Sequence, residues 1–254
     1  MTGNGRGKYL YCVIGAAQPM EFYFAGVNGA GERVYSIHVG DLAAVAGDSA
    51  ANNYRLSLST AMAHQLVIQE VMQKFTVLPF SFGAVAGSEE EVRELLTRYR
   101  GEFLAQLRYL EGKAEYCLKA LWRDKEQPFR EILAQREDIR RYRDAIAQRP
   151  PTHTHHERIE LGRMVQEALL AKKEAESQHL LEHLRPLAVE VRVNNPLMDH
   201  MLLNAALLLA KGSEPAFEEA LQGLDREYEE RVRLRLAGPS PPFNFVHLPL
   251  TGGG

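Results

Sequence analysis

The segment His179-Leu180-Leu181-Glu182-His183 has the spacing with the most explicit chemistry in this chain. Histidines four apart share a helix face and can hold one metal ion. The H-x-x-E-H pattern adds a carboxylate that would serve a metallohydrolase. Such a centre needs a third ligand, and no later motif supplies one. The plainer reading is that both histidines finish an apolar helix stripe made by Leu161, Val165, Ala168 and Ala175. His153, His155 and His156 stand in a proline-bounded connector, residues 149–156 (RPPTHTHH). That cluster can pick up metal, but a solvated loop with pH-sensitive charge explains it more simply. Cys12 and Cys117 are too few for a disulfide framework or a four-ligand zinc site. Neither has a CxxC partner or a basic cluster to activate it, so both are expected to be buried and silent. G-x-S-x-G, Walker and kinase signatures are absent. The expectation is therefore no catalytic residue, no cofactor and no metal.

Two segments are more distinctive as surfaces. Val77-Leu78-Pro79-Phe80-Ser81-Phe82-Gly83 is an apolar run broken by proline and closed by glycine. An edge strand ending in a tight turn is one reading, and presentation of Phe80 or Phe82 to a partner is the other. Arg123–Arg149 alternates in sign. It reads as an exposed helix laced with i,i+4 pairs or as a docking surface. Arg136, Arg140, Arg141 and Arg143 would meet an acidic partner, although Glu137, Asp138 and Asp144 largely cancel them.

The elements that must position these residues follow from periodicity. Tyr9–Ile14 reads as a strand, residues 26–32 as a turn, and Val34–Val39 with Leu42–Ala46 as a hairpin around Gly40-Asp41. The glycines of residues 1–7 follow no strand, so they do not suggest a phosphate loop. A helix over Thr60–Phe75 presents Ala63, Val67, Val71 and Phe75 on one face. Ser88 and Glu91 make a capping-box pattern for a second helix, whose stripe runs from Val92 to Leu110 and stops at Gly112.

The second half starts afresh. A strand is expected at Tyr116–Trp122, with Glu115, Cys117 and Lys119 on its other face. Helices follow over Pro128–Gln148 and Glu157–Leu184, then a strand at Val189–Val193. Met201–Lys211 is most simply a fully buried strand, with a short helix as the alternative that periodicity leaves open. Ser213-Glu214-Pro215 opens a last helix, and Val232, Leu234 and Leu236 mark a last strand. The fold class expected is α+β in two domains. Residues 1–112 form an N-terminal α+β domain. Residues 113–237 form a modified ferredoxin-like fold, β-helices-β-β-α-β, with extra helices in its first crossover. Residues 238–254 form a proline-rich tail, too apolar to be a solvated linker and expected to pack at the domain interface.

The whole-chain arithmetic sets the class of partner. Thirty basic and 33 acidic side chains in 254 residues leave a net charge of −3. That excludes nucleic acid as the default partner. The longest apolar stretch, Leu202–Ala210, is far short of the about 20 residues of a membrane span. Arg6 and Lys8 before Tyr9–Ala17 loosely mimic a signal peptide, but a buried strand suits that composition better. Cytoplasmic residence with reduced cysteines is expected.

Three segments together resemble the GvpF/GvpL family of gas vesicle proteins: Lys8–Gly15 (KYLYCVIG), Phe75–Val85 (FTVLPFSFGAV) and Gly238–Val246 (GPSPPFNFV). Leu161–Leu169 and Leu184–Pro196 are also similar to that family, so the likeness runs from about Lys8 to Leu248. These motifs do not distinguish GvpF from GvpL. The resemblance implies a non-enzymatic accessory protein of vesicle formation, located at the gas vesicle and in the cytoplasm. Its partners would be the vesicle wall subunit and other accessory proteins. The match at Pro79, Gly83, Gly238, Pro239, Pro242 and Asn244 speaks to structure. Phe80, Phe82, the four arginines above, Phe243 and Phe245 are the candidate partner contacts. The alternatives are a small-ligand regulatory module of ferredoxin-like fold, or the metallohydrolase of the H-x-x-E-H helix.

Overall fold

An apolar run with no polar face makes a strand covered on both sides, and Tyr9–Ile14 becomes the centre of a sheet. The structure, a computed structural model, describes residues 7–23, 26–29, 32–49 and 54–248. The expected glycine-rich start, part of the turn at 26–32 and the glycines at 252–254 lie outside the described residues. The chain divides into two compact units, with boundaries after Glu115 and after Ala237. The segment from Gly238 onward belongs to the first unit.

The first unit is built from β1 (Gly7–Gly15), β2 (Glu21–Phe22), β3 (Val34–Val39), β4 (Leu42–Ser49), α1 (Leu58–Met72), β5 (Val77–Pro79), β6 (Val85–Ala86), α2 (Glu89–Arg98) and α3 (Arg100–Leu110). The sheet order is β2-β3-β4-β1-β5, with β6 also on β1, and the β1–β4, β1–β5, β1–β6, β2–β3 and β3–β4 pairs are antiparallel. Tyr9 faces Gly47 and Val13 faces Ala44, with a bulge between Leu10 and Cys12. The bulge lets Tyr9, Tyr11, Cys12 and Ile14 share one cluster with Val67, Ile68 and Val71 of α1. Leu10 and Val13 are also fully buried, outside that cluster, and α2 and α3 contact β1 too.

Local chemistry departs from expectation at two helix ends. Ser88 caps α2 by accepting from Glu91 N, but the Glu91 carboxylate takes the Gly87 N–H rather than that of Ser88, so only half of the box closes. The continuous stripe expected from Val92 to Leu110 is two helices, because Tyr99 leaves helical geometry at φ −104, ψ 18. Gly101 lies beside that break, where glycine's poor helix propensity eases it.

The second unit centres on β7 (Lys113–Trp122), which begins before the boundary, and holds α4 (Gln127–Gln135), α5 (Glu137–Ala147), α6 (His155–Leu184), β8 (Glu190–Val193), β9 (Met201–Ala210), α7 (Glu214–Glu227) and β10 (Val232–Ser240). The sheet order is β10-β7-β9-β8. Leu118, Ala120 and Trp122 of β7 meet Leu180, Leu181 and Leu184 of α6 and Phe217 and Leu224 of α7 in one core. Ile132, Ile139 and Ala168 join α4, α5 and α6 in a second cluster. The single helix expected over Pro128–Gln148 breaks at Arg136 (φ −103, ψ 90). Ala175 leaves the α6 stripe for solvent, because the buried face passes instead through Glu176, Ser177 and Leu180. Ser213 stands at the α7 N-cap, but its hydroxyl donates to Ala210 O and caps nothing. β10 continues through Pro239, past the start of the expected tail, because it is an edge strand, where proline is tolerated.

An ion network ties the second unit together. Arg231 bonds Glu131 of α4 at 3.0 and 2.8 Å and Glu176 of α6 at 2.5 Å. Lys172 reaches the same two carboxylates at 2.7 and 3.0 Å, and Trp122 Nε1 donates to Glu176 at 3.1 Å. Burial opposes the Glu131 charge, but Arg231 and Lys172 prevail and hold the carboxyl down at about 2. Arg231→Met is expected to cost about 2 kcal/mol, because Lys172 would be left alone with two half-buried carboxylates. Urea unfolding followed by the fluorescence of Trp122, the chain's single tryptophan, measures this. An unchanged midpoint would show the network to be idle.

Candidate functional site

The proline-phenylalanine-glycine segment is held from beneath by two tyrosines and a histidine. His64, on α1, is 3 % exposed. Its Nε2 lies 3.0 Å from the Phe80 carbonyl, which can only accept, so that nitrogen carries the proton. Nδ1 therefore accepts from the Tyr9 hydroxyl at 2.9 Å, and the same hydroxyl accepts from Gly83 N at 3.1 Å. Gly83 sits at φ +87, a region that an L side chain enters at a cost, and this turn aims its N–H at Tyr9. Phe80 N donates to Tyr11 O at 2.9 Å. Phe80 is 3 % exposed, and Phe82 is half-buried, its ring 6.3 Å from Tyr9 and 5.9 Å from His64. Presentation of Phe80 to a partner is thus replaced by core packing, because the backbone bonds on either side turn the ring inward.

The network continues through Tyr11, whose hydroxyl donates to Glu32 at 3.0 Å and accepts from Val27 N at 3.0 Å. The Glu32 carboxylate also accepts from Asn28 N at 2.7 Å. It rests over Gly26 and Gly47, where any Cβ would collide with it. Burial raises both phenols above their ordinary range. Burial also lowers His64 to about 4, against an opposing bond to Phe80 O, so its neutral form is the one built in.

A second latch holds the tail motif. Glu115 is 5 % exposed, and its carboxylate accepts from Asn244 N at 2.8 Å and Asn244 Nδ2 at 2.6 Å. Ser240 Oγ donates to the Glu115 carbonyl at 3.0 Å. Gly238-Pro239 is a cis bond and Pro242 is buried. Gln106 of α3 exchanges two bonds of 2.9 Å with the His247 backbone. Phe245 is buried, whereas Phe243 keeps one face in solvent. Alternation places Glu115 on the strand face opposite Leu118, Ala120 and Trp122, and the asparagine 129 residues later is what allows it inside.

The remaining candidates are dispersed. Arg136 pairs with Asp138, Arg140 and Arg141 with Glu137, and Arg143 with Asp144, all at exposed positions except the half-buried Arg140. These are local helix pairs worth little each. His179 Nε2 meets Glu227 at 2.9 Å, His183 Nδ1 meets the His179 carbonyl at 2.9 Å, and Glu182 is exposed. Both histidines are more exposed than a packed stripe would leave them. Among the described residues no three His, Cys, Asp or Glu side chains converge to hold a metal ion. His153 ends a short 3-10 turn, and His155 and His156 form the first turn of α6, so the expected loop is mostly helix.

Cys12 is fully buried, and that burial pushes its thiol well up; Cys117 is half-buried with Sγ 3.9 Å from Asn204 Oδ1. Under native conditions a thiol-reactive chromophore should label Cys117 first and Cys12 only on unfolding. Equal rates would contradict the packing of β1.

No helix among the described residues is long and apolar enough to cross a membrane. The family model described as "Gas vesicle synthesis protein GvpL/GvpF" matches residues 7–247. Gas vesicle protein F of Nostoc sp. (strain PCC 7120) is 26% identical over 245 residues, covering 95% of this chain and 98% of that one. Gas vesicle protein L of Streptomyces sp. (strain CB03234) is 28% identical over 267 residues, covering 94% and 92%. The crystal structure of the gas vesicle protein GvpF from Anabaena sp. PCC7120 superposes with a TM-score of 0.83 at 26% identity, over 96% of this chain and 100% of that one. Both F and L proteins are thus among its relatives, and the mixed helix-and-sheet fold is that of solved GvpF. The chain belongs to the GvpL/GvpF family of gas vesicle synthesis proteins.

Proposed function

We propose that this protein is a non-enzymatic accessory factor of gas vesicle formation that acts in the cytoplasm and at the vesicle by binding wall subunits or other accessory proteins. The observation that carries this reading is the match of the family over residues 7–247, through both units and the tail. The family resemblance implies wall subunits that are small and hydrophobic. Before assembly such chains expose apolar surface and risk aggregation. A binder that covers them keeps them competent to join the wall.

The outer face of α1 fits that task better than Phe80. Leu58, Met62 and Leu66 recur every four residues and stay exposed, while Val67, Ile68 and Val71 fill the inner face. The helix is apolar on both sides, and only one side has a partner among the described residues. In the second unit the order β10-β7-β9-β8 places the strands fourth-first-third-second, which supports the ferredoxin-like reading of residues 113–237.

The test is co-purification of the tagged full chain from vesicle-forming cells, with wall and accessory proteins read by mass spectrometry. The expected result is retention of a wall or accessory protein that is lost in Leu58→Asp/Met62→Asp. Far-UV circular dichroism should be unchanged, since both sites are exposed. Recovery of no vesicle protein by the parent chain would contradict the reading. Undiminished recovery by the variant would move the contact elsewhere.

A further inference from the structure

The second unit carries a groove with an apolar end and a basic end. Two adjoining hollows, of about 580 and 290 Å³, share Trp122, Lys125, Met198 and His200. Phe129, Leu169 and Leu197 line the larger one together with Asp199, its one carboxylate, and Leu197 and Met198 are 65% and 50% exposed. The smaller hollow is ringed by Arg123, Lys125, Arg233 and Arg235.

These four cations differ from the arginines of α4 and α5. Those are matched by their own Asp and Glu neighbours. Among the described residues, Arg123, Lys125, Arg233 and Arg235 have no carboxylate within ion-pair distance. Like charges held together on one rigid surface repel, and an anionic guest relieves that cost. The floor is fixed in advance. Trp122 is tied through Nε1 to Glu176, and Lys173 lies over its ring while donating to Asp199 O. β10 is an edge strand, so Arg233 and Arg235 stand at the rim of the sheet.

We infer that this groove docks an acidic polypeptide segment that inserts a large apolar side chain against Leu197, Met198 and Phe129 and sets carboxylates on Arg123, Lys125, Arg233 and Arg235. The apolar wall selects a polypeptide over a polyphosphate, which has nothing to place there. Trp122 is buried and offers no face for base stacking, and a net charge of −3 disfavours long polyanions overall.

The experiment is fluorescence anisotropy of the full chain with a labelled peptide of alternating glutamate and leucine. Saturable, salt-sensitive binding is expected. Arg233→Glu/Arg235→Glu should weaken it roughly tenfold or more, and so should Leu197→Ser/Met198→Ser. Arg108→Glu, at an exposed position of α3 in the first unit, should leave it unchanged. The charge-reversed chain should instead gain affinity for a lysine-leucine peptide, with far-UV circular dichroism and the thermal midpoint unchanged as the control for folding. The inference is overturned if neither double variant weakens binding, or if a glutamate-glycine peptide binds as well. Tighter binding of a single-stranded oligonucleotide or of phosphatidylserine vesicles at the same arginines also overturns it. No vesicle component enters this experiment, so its failure leaves the proposed vesicle role standing.

Discussion

Lowering the pH from 6.5 toward about 4 is expected to weaken the first unit by up to about 3 kcal/mol through His64 alone. The unfolded imidazole takes a proton near 6.5, whereas the buried one resists until about 4. Between those values the unfolded chain holds more protons than the folded one. His64's contribution is therefore complete above pH 6.5 and is lost as the pH falls toward 4. The structural cost is specific. A proton on Nδ1 would face the Tyr9 hydroxyl, which already accepts from Gly83 N and would lose the acceptor for its own proton. Protection factors of the amides in β1 and the Gly83 turn, with each rate divided by its intrinsic rate at that pH, should fall in this window, while Trp122 fluorescence in the second unit holds. His64→Gln should be less stable at neutral pH but flatter across the window. An identical slope in that variant would show that another group drives the acid loss.

The second large effect is expected at the tail. Asn244→Ala removes the 2.6 Å bond from a carboxylate that is nearly withdrawn from water, at a cost of about 3 kcal/mol. Asn244→Asp should cost more, because it sets a second negative group against Glu115. Thermal unfolding by near-ultraviolet dichroism would show both, in that order. Equal midpoints for the parent and both variants would mean that the latch bears no weight. The same variants separate structure from function. The tail motif is one of the segments that resemble the family, yet Pro242, Asn244 and Phe245 are turned inward. A stable variant with impaired vesicles would place Phe243, the exposed ring of that motif, at a partner instead.

These inward-facing motifs also mark where periodicity stops being informative. β1, the β3–β4 hairpin and α1 are legible because each is a pattern that one geometry buries, whereas the continuous apolar run of β9 suits a buried strand or a short helix until its neighbours are known. The breaks at Tyr99 and Arg136 are not, since both stripes continue across them and only neighbouring elements decide the angle. His64 escapes notice for a related reason. It lies beside Ala63 in the buried arc of α1, and nothing local shows that Tyr9 and Phe80 will satisfy it. Glu115 is hidden by sequence distance, as its partner is 129 residues away. The spacing of His179, Glu182 and His183 is conspicuous but empty, because Glu227 of a separate helix takes one imidazole. Arg231, Arg233 and Arg235 alternate with Val232, Leu234 and Leu236, and that alternation conceals two different fates. Arg231 joins a half-buried network, and the other two meet Arg123 and Lys125 in the groove.

The central claim is that the chain is needed to form gas vesicles and catalyses nothing in doing so. Removing its coding sequence from an otherwise complete vesicle gene cluster, and counting vesicles per cell by electron microscopy, tests this most directly. The predicted result is cells with few or no vesicles, restored by the parent chain and by His179→Ala/His183→Ala alike. Normal vesicle number without the gene would contradict the need for the protein. Rescue by the parent but not by the double histidine variant would contradict the non-enzymatic reading.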